Sequence, residues 1–77
     1  MTRKEELERV FMKAKNKGMD IGVEVTVPGQ EDTELIINRN SSIDNKLSYY
    51  MGAYDDDLNL NANQEVKIVE FQMMNFF

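Results

Sequence analysis

The side chains best suited to chemistry lie together in residues 53–65, AYDDDLNLNANQE. This stretch places a carboxylate or amide oxygen at every second position from 55 to 63, and such oxygens are the ligands that Ca²⁺ prefers. An EF-hand loop beginning at Asp57 has suitable ligands at its third and fifth positions, Asn59 and Asn61. The sequence therefore first raises the question of a calcium loop.

The remaining positions do not fit a calcium loop. Its sixth position needs glycine and holds Ala62, its eighth is normally apolar and holds Gln64, and its twelfth needs a bidentate glutamate and holds Ile68. The segment that follows has the composition of a strand, whereas an EF-hand needs a helix there. We therefore predict no metal site and no other cofactor.

The composition also excludes most catalytic chemistry. The chain contains no cysteine and no histidine, so it lacks a thiolate nucleophile and the usual general base near neutral pH. Two carboxylic acids could still act as an acid–base pair, as in glycoside hydrolases. Such pairs lie in a deep cleft, and 77 residues leave little volume for one. We predict that the protein is not an enzyme.

Charge is distributed unevenly along the chain. Residues 1–17 hold six basic and three acidic side chains, for a net charge of +3, and residues 18–77 hold three basic and eleven acidic ones, for −8. An acidic body repels phosphate backbones, so nucleic-acid binding is disfavoured except as a weak interaction through the basic first helix. The favoured partner is a basic protein.

The hydropathy pattern is typical of a small soluble chain. Charges interrupt the apolar residues of the N-terminal segment every few positions, so it has neither the apolar run of ~20 residues needed for a membrane span nor the core of a signal peptide. The length fits a single domain, residues 1–77. We expect a cytoplasmic monomer or homodimer without membrane contact.

The first predicted element is an amphipathic helix. Thr2 and Glu5 have the spacing of a capping box, and Gly18 supplies a left-handed stop. One face of the helix carries Leu7, Val10, Phe11 and Ala14. From Met19 the period changes to two, which predicts a strand up to Val27, a turn at residues 28–32 and a second antiparallel strand over 33–39.

A second amphipathic helix is predicted after the hairpin. Ser41 and Asp44 have the spacing of a capping box, with Asn40 as an alternative cap. Tyr49 falls on the polar side and is expected to face solvent. We expect the helix to continue into residues 55–57. Its apolar side carries Ile43, Leu47, Tyr50, Met51, Tyr54 and Leu58.

The composition of residues Val66 to Met74 predicts a third strand. Its apolar residues on both faces indicate either a central position in the sheet or a partner on the second face. The chain then ends in MMNFF. These apolar side chains either extend the strand onto the core, which we favour, or form an association surface. The residues concerned are Met73, Met74, Phe76 and Phe77.

The predicted fold is therefore a small α+β domain with the element order α-β-β-α-β. Its three-stranded, mainly antiparallel sheet has the strand order 2-1-3, and both helices lie on one face. At the predicted end of the second helix, the aspartates oppose the helix dipole by about 0.3–1 kcal/mol each. Stability alone would not choose them, so they form either a solvated end or a protein-binding surface.

The segment KLSYYMGAYDDDLNLNANQEVKIVEF, residues 46–71, resembles the C-terminal half of small acidic proteins of phages and prophages of Gram-positive bacteria. The resemblance lies in Tyr49-Tyr50, Ala53-Tyr54, Asp56-Asp57-Leu58 and Leu60, and covers about a third of the chain. That family has no assigned activity. The resemblance implies a phage origin and a helix that continues through AYDDDLNL.

Three functions follow as hypotheses. The leading one is a phage- or prophage-derived accessory protein that contacts a basic host or phage protein through Tyr49, Asp55, Asp56 and Asp57. It could inhibit or modulate a host nucleic-acid-binding protein, by analogy with small acidic phage inhibitors of CRISPR nucleases. The alternatives are a self-associating module that uses the C-terminal apolar residues, and a weak nucleic-acid binder.

Overall fold

The structure, a computed structural model, describes residues 1–75. It contains two helices and a four-stranded antiparallel sheet, which confirms the α+β class. No helix among these residues is long and apolar enough to cross a membrane. The elements are α1 (Arg3–Lys17), β1 (Asp20–Thr26), β2 (Glu34–Asn38), α2 (Ile43–Ala53), β3 (Asn59–Leu60) and β4 (Asn63–Met74).

Both predicted ends of α1 are confirmed. The Thr2 hydroxyl accepts a hydrogen bond from the Glu5 amide at 3.1 Å, and the Glu5 carboxylate accepts one from the Thr2 amide at 2.9 Å. This backbone hydrogen bond from Thr2 is the main reason that the pKa of Glu5 is lowered. At the other end Gly18 has φ 67°, and its N–H points back to the carbonyls of Ala14 and Lys15.

The sheet contains one strand more than the sequence predicts. Its order is β2-β1-β4-β3, so the predicted third strand, β4, does lie beside β1 and antiparallel to it. The additional strand, β3, has only two residues and joins β4 through a tight turn at Asn61 and Ala62. Neither β-branched nor aromatic residues mark so short a strand, which is why periodicity misses it.

A β-bulge explains the irregular apolar pattern of β4. Glu24 lies opposite Glu70, but the next residue, Val25, lies opposite Ile68, so Val69 has no partner of its own in β1. The phase of the strand changes at this point, and the apolar residues on both sides of the bulge contact the same core. β4 lies between β1 and β3 in the strand order, but β3 pairs only with its first residues, at Asn63 and Lys67, and the apolar pattern does not require two apolar faces.

The core lies between the two helices and one face of the sheet. Alternate residues of β1, Ile21, Val23 and Val25, face it, and Gly22 and Glu24 therefore face the other side. Because buried side chains of both helices belong to this one cluster, both helices cover the same face. The buried cluster consists of Leu7, Phe11, Ala14, Ile21, Val23, Val25, Ile43, Tyr50, Tyr54, Leu58 and Ile68.

A buried asparagine connects α2 to the sheet. Asn38, which is 0% exposed, donates from Nδ2 to the carbonyls of Ile21 and Ile36, each at 3.3 Å. Its Oδ1 accepts a hydrogen bond from the Tyr50 hydroxyl at 3.1 Å. Burying an amide is costly unless its polar atoms are paired, and here both are. The pair fixes where α2 crosses the sheet.

Asn40 connects the end of α1 to the start of β1. Its Nδ2 donates to the carbonyls of Met19 at 3.0 Å and Ala14 at 3.3 Å, the second of which also accepts the backbone N–H of Met19 at 2.9 Å. Its backbone N–H donates to Asp20 Oδ1 at 2.8 Å, and the Arg39 guanidinium lies 3.5 Å from Asp20 Oδ2. The asparagine thus caps the preceding helix rather than the following one.

The capping box predicted at Ser41 and Asp44 is therefore wrong. A 3₁₀ turn over Asn40–Ser42 precedes α2, and Ser42 at the cap position makes no side-chain hydrogen bond to the helix. Asp44 instead forms an exposed salt bridge with Lys15 of α1 at 2.9 Å. The contacts of Asn40 hold this segment against α1, and the tighter turn follows from that constraint.

We predict that Tyr50→Phe lowers the free energy of unfolding by about 1–3 kcal/mol, because Asn38 Oδ1 loses this donor in a buried site. Urea denaturation followed by circular dichroism measures the change. Tyr49→Phe is the matched control, since Tyr49 is 53% exposed and its change should stay within about 0.5 kcal/mol. Equal stability of the two variants would contradict the role given to the pair.

Candidate protein-interaction surfaces

The acidic segment is a loop rather than the end of a helix. α2 ends at Ala53, and Tyr54 already has an extended backbone with φ −113° and ψ 148°. The prediction that the helix continues through the three aspartates is therefore wrong. We call residues 55–58 the acidic loop.

The side chain of Asp55 ends the helix. Its Oδ1 accepts hydrogen bonds from the backbone N–H groups of Asp57 at 3.0 Å and Asn59 at 2.9 Å. Aspartate that bonds to nearby amides in this way favours a turn over a helix. The hydrogen bond from Asn59 is the main cause that lowers the pKa of the Asp55 carboxyl. This carboxylate is committed to the loop and not to a partner.

Backbone contacts hold the acidic loop against the rest of the molecule. Leu58 is completely buried and has φ 65°, a conformation that a bulky side chain rarely adopts. Its carbonyl accepts from Ile68 N at 2.9 Å, and the carbonyl of Asp56 accepts from Lys4 N at 3.2 Å. Tyr54 is also buried, as predicted, and its burial raises its pKa to about 12.

The amide side chains that follow the loop are used for structure. Asn59 Nδ2 donates to the carbonyl of Gln64 at 2.8 Å, and Gln64 Nε2 donates to the carbonyl of Leu60 at 3.0 Å. Asn63 Oδ1 accepts from Glu65 N at 3.1 Å. These bonds satisfy the backbone of the short hairpin. Among residues 1–75 no group of three or more acidic side chains could hold a metal ion.

The side chains of the other proposed interaction residues take no part in the hydrogen bonds just described. Asp56 and Asp57 are exposed, and Tyr49 is 53% exposed. The Tyr49 ring lies edge-on to Tyr50, with centroids 5.2 Å apart, and to Tyr54, with centroids 6.4 Å apart. These contacts place the aromatic ring beside the residue that leads into the acidic loop.

The basic helix α1 uses part of its charge within the molecule. Arg3 forms a salt bridge with Glu6 at 2.9 Å, donates to the carbonyl of Val69 at 3.3 Å and lies 4.9 Å from the centre of the Phe71 ring. Lys15 is paired with Asp44 in the salt bridge already described. These contacts reduce the charge that α1 can offer to phosphate groups.

The C-terminal apolar residues divide between the two faces of the sheet. Met73 lies opposite Ile21 and contacts the core, whereas Met74 lies on the other face over Gly22. Core extension, the favoured prediction, is thus found for Met73. Phe76 and Phe77 lie outside the described residues.

The face of the sheet opposite the helices is a further candidate surface, which sequence reasoning missed. We call it the open face. It has a hollow of about 270 Å³ lined by residues of three strands, Gly22, Glu24, Leu35, Glu70, Phe71 and Gln72. Two helices on one side of a sheet already implied an uncovered second side, and Leu35 in a predicted edge strand was the signal available in the sequence.

No protein-family model, curated protein or solved structure matches this chain.

We predict that Asp55→Ala destabilises the protein at neutral pH, because the loop amides lose their acceptor, while Asp56→Ala has little effect. A lowered pKa in the folded state gives stability that is present above the unfolded value of about 4 and is lost as pH falls through the folded value. The difference between wild type and Asp55→Ala should therefore shrink in acid. Urea titrations from pH 7 to pH 2 measure it, and a difference independent of pH would contradict the assignment.

Proposed function

We propose that the chain is a small phage- or prophage-derived accessory protein without enzymatic activity, which contacts a basic surface of another protein through Asp56, Asp57 and Tyr49. One observation carries this proposal: the acidic loop is held in a fixed, strained conformation whose internal bonds use Asp55 and leave its neighbours exposed. The proposed site therefore includes Asp56 and Asp57 but not Asp55.

The strain at Leu58 is the first argument for a binding role. A buried leucine with positive φ costs free energy, of order 1–3 kcal/mol, and such outliers persist where the local conformation has a use. Here the left-handed residue closes the loop onto β4 through the hydrogen bond between Ile68 N and the Leu58 carbonyl. A loop fixed before binding loses less conformational entropy when a partner arrives.

The position of Tyr49 is the second argument. Tyrosine is enriched among the residues that contribute most to interfaces, because it buries a large area and loses few rotamers. The contacts of Tyr49 with Tyr50 and Tyr54 restrict its ring, yet half of the side chain remains accessible. An exposed aromatic ring that contacts Tyr54, the residue before the acidic loop, together with the two exposed carboxylates of that loop suits a surface that carries arginine or lysine.

The charge of the chain selects the class of partner. Residues 18–77 carry −8, so association with basic proteins is accelerated and association with phosphate backbones is opposed. Host proteins that bind nucleic acids present basic surfaces and are the partners that we favour. A protein that occupies such a surface would compete with its nucleic acid.

The two alternatives have less support. Self-association through the C-terminal residues would need Met73 and Met74 on one surface, but they lie on opposite faces of the sheet. Nucleic-acid binding through α1 would need cations that Arg3 and Lys15 already share with carboxylates.

Affinity capture from host lysate, followed by titration of the purified partner, tests the proposal. We expect Asp56→Asn combined with Asp57→Asn to weaken binding by roughly tenfold at low salt, with less effect at high salt. Tyr49→Ala should weaken binding at both salt concentrations. Asp55 is kept in every variant, because its loss would change the loop itself.

The matched control is Glu31→Gln combined with Asp32→Asn in the exposed hairpin turn, which removes the same charge elsewhere. If the control pair weakens binding equally, the effect comes from net charge alone, and a specific binding site at the acidic loop is contradicted. Capture of the same partners by all variants would overturn the proposal.

A further inference from the structure

The open face combines apolar and acidic side chains on one surface. Leu35 is 53% exposed, Ile37 is half-buried beside it, and Met74 lies over Gly22. Gly22 and Leu35 both line the hollow. Contiguous apolar surface left exposed on a sheet can mark a site of protein contact.

Two glutamates lie at the same place. Glu24 and Glu70 are directly opposite each other on neighbouring strands, and both line the hollow. Like charges directly opposite in a sheet are destabilising, so folding alone does not favour this pair. Glu24 Oε2 accepts a hydrogen bond from the Thr33 hydroxyl at 3.0 Å, which holds the carboxylate near the surface.

The charge decides between the possible occupants. A second copy that stacked its open face on this one about a two-fold axis would set the same carboxylates against each other. A partner with a cation at that point would instead neutralise both of them, while its apolar neighbours covered the exposed leucine.

We propose that the open face is a docking surface for an arginine- or lysine-bearing segment of another protein. The cation lies between Glu24 and Glu70, and the aliphatic part of its side chain packs on Leu35 beside Met74, which covers Gly22. Apolar side chains next to the cation cover Ile37 and Met74. The surface shares no residue with the acidic loop, so this inference does not depend on the function proposed above.

Nuclear magnetic resonance titration of the full chain tests the inference with a defined probe. The probe is the peptide acetyl-Leu-Arg-Leu-amide, and its control contains citrulline, which has nearly the same shape without the charge. We expect the arginine peptide to shift the amide signals of Gly22, Leu35 and Gln72 and the citrulline peptide to shift them much less. Glu24→Gln combined with Glu70→Gln should weaken arginine binding by about tenfold.

Two further variants keep the result interpretable. Glu70→Gln alone removes a like-charge repulsion and should unfold no more easily than wild type, so its weaker binding would not reflect lost structure. Gly22→Ala places a methyl group against Met74 Sδ and Leu35 Cδ1, so both side chains must shift and binding of the arginine peptide should weaken. Asp56→Asn combined with Asp57→Asn should leave arginine binding unchanged.

Several outcomes would overturn the inference. These are equal binding of the citrulline peptide, the absence of shifts on the open face, shifts confined to the acidic loop, and a dimer in sedimentation whose formation shifts the amide signals of the open face as concentration rises. Shifts confined to the loop would favour the function proposed above while removing this second surface. If the loop variants lose capture of a partner but still bind the arginine peptide, both surfaces are supported independently.

Discussion

The hydrogen bond from the Tyr50 hydroxyl to Asn38 Oδ1 is the constraint on which much of the arrangement depends. It lies in a site that excludes water, so neither group can be left without a partner at low cost. Asn38 also donates hydrogen bonds to carbonyls of β1 and β2, and Tyr50 belongs to α2, so the pair connects the helix to both strands. The position of α2 over the sheet follows from it. The open face exists because both helices are held on the other side.

Asparagine, aspartate and glutamine side chains form many of the hydrogen bonds at the ends of the helices and strands. Asn40 satisfies carbonyls at the end of α1, Asp55 satisfies amides after α2, and Asn59 and Gln64 satisfy the short hairpin. In each case a polar side chain bonds to backbone groups at the end of an element. A small domain with short elements has many such ends for its length. The polar stretch that first suggested calcium ligation is largely explained by this need.

Periodicity predicted the elements that bury a regular apolar stripe. The capping box at Thr2 and the alternation in β1 follow from residue spacing. Tyr54 and Leu58 are buried as predicted, but they lie beyond the end of α2 and not in the helix that the spacing predicted. The fourth strand, the bulge at Val69 and the loop closed by Asp55 were not, because each depends on a contact between distant residues or on a competition between side chain and backbone. The candidate surfaces divide in the same way: the exposure of Tyr49 follows from helical spacing, whereas the pairing of Glu24 with Glu70 needs the strand register.

Acidic side chains lie close together at two places in this protein, the acidic loop and the open face, and they are accommodated differently at each. In the acidic loop, two backbone N–H groups donate hydrogen bonds to the carboxylate of Asp55, so the loop structure accounts for its charge. The exposed charges of Asp56 and Asp57 have no such structural role. On the open face Glu24 and Glu70 are partners on neighbouring strands, a position in which like charges are destabilising, and Glu24 accepts a hydrogen bond from the Thr33 hydroxyl. A count of acidic residues would rank the loop first. The like charges that the strand register sets opposite each other lie instead on the sheet, where Leu35 leaves apolar surface exposed beside them.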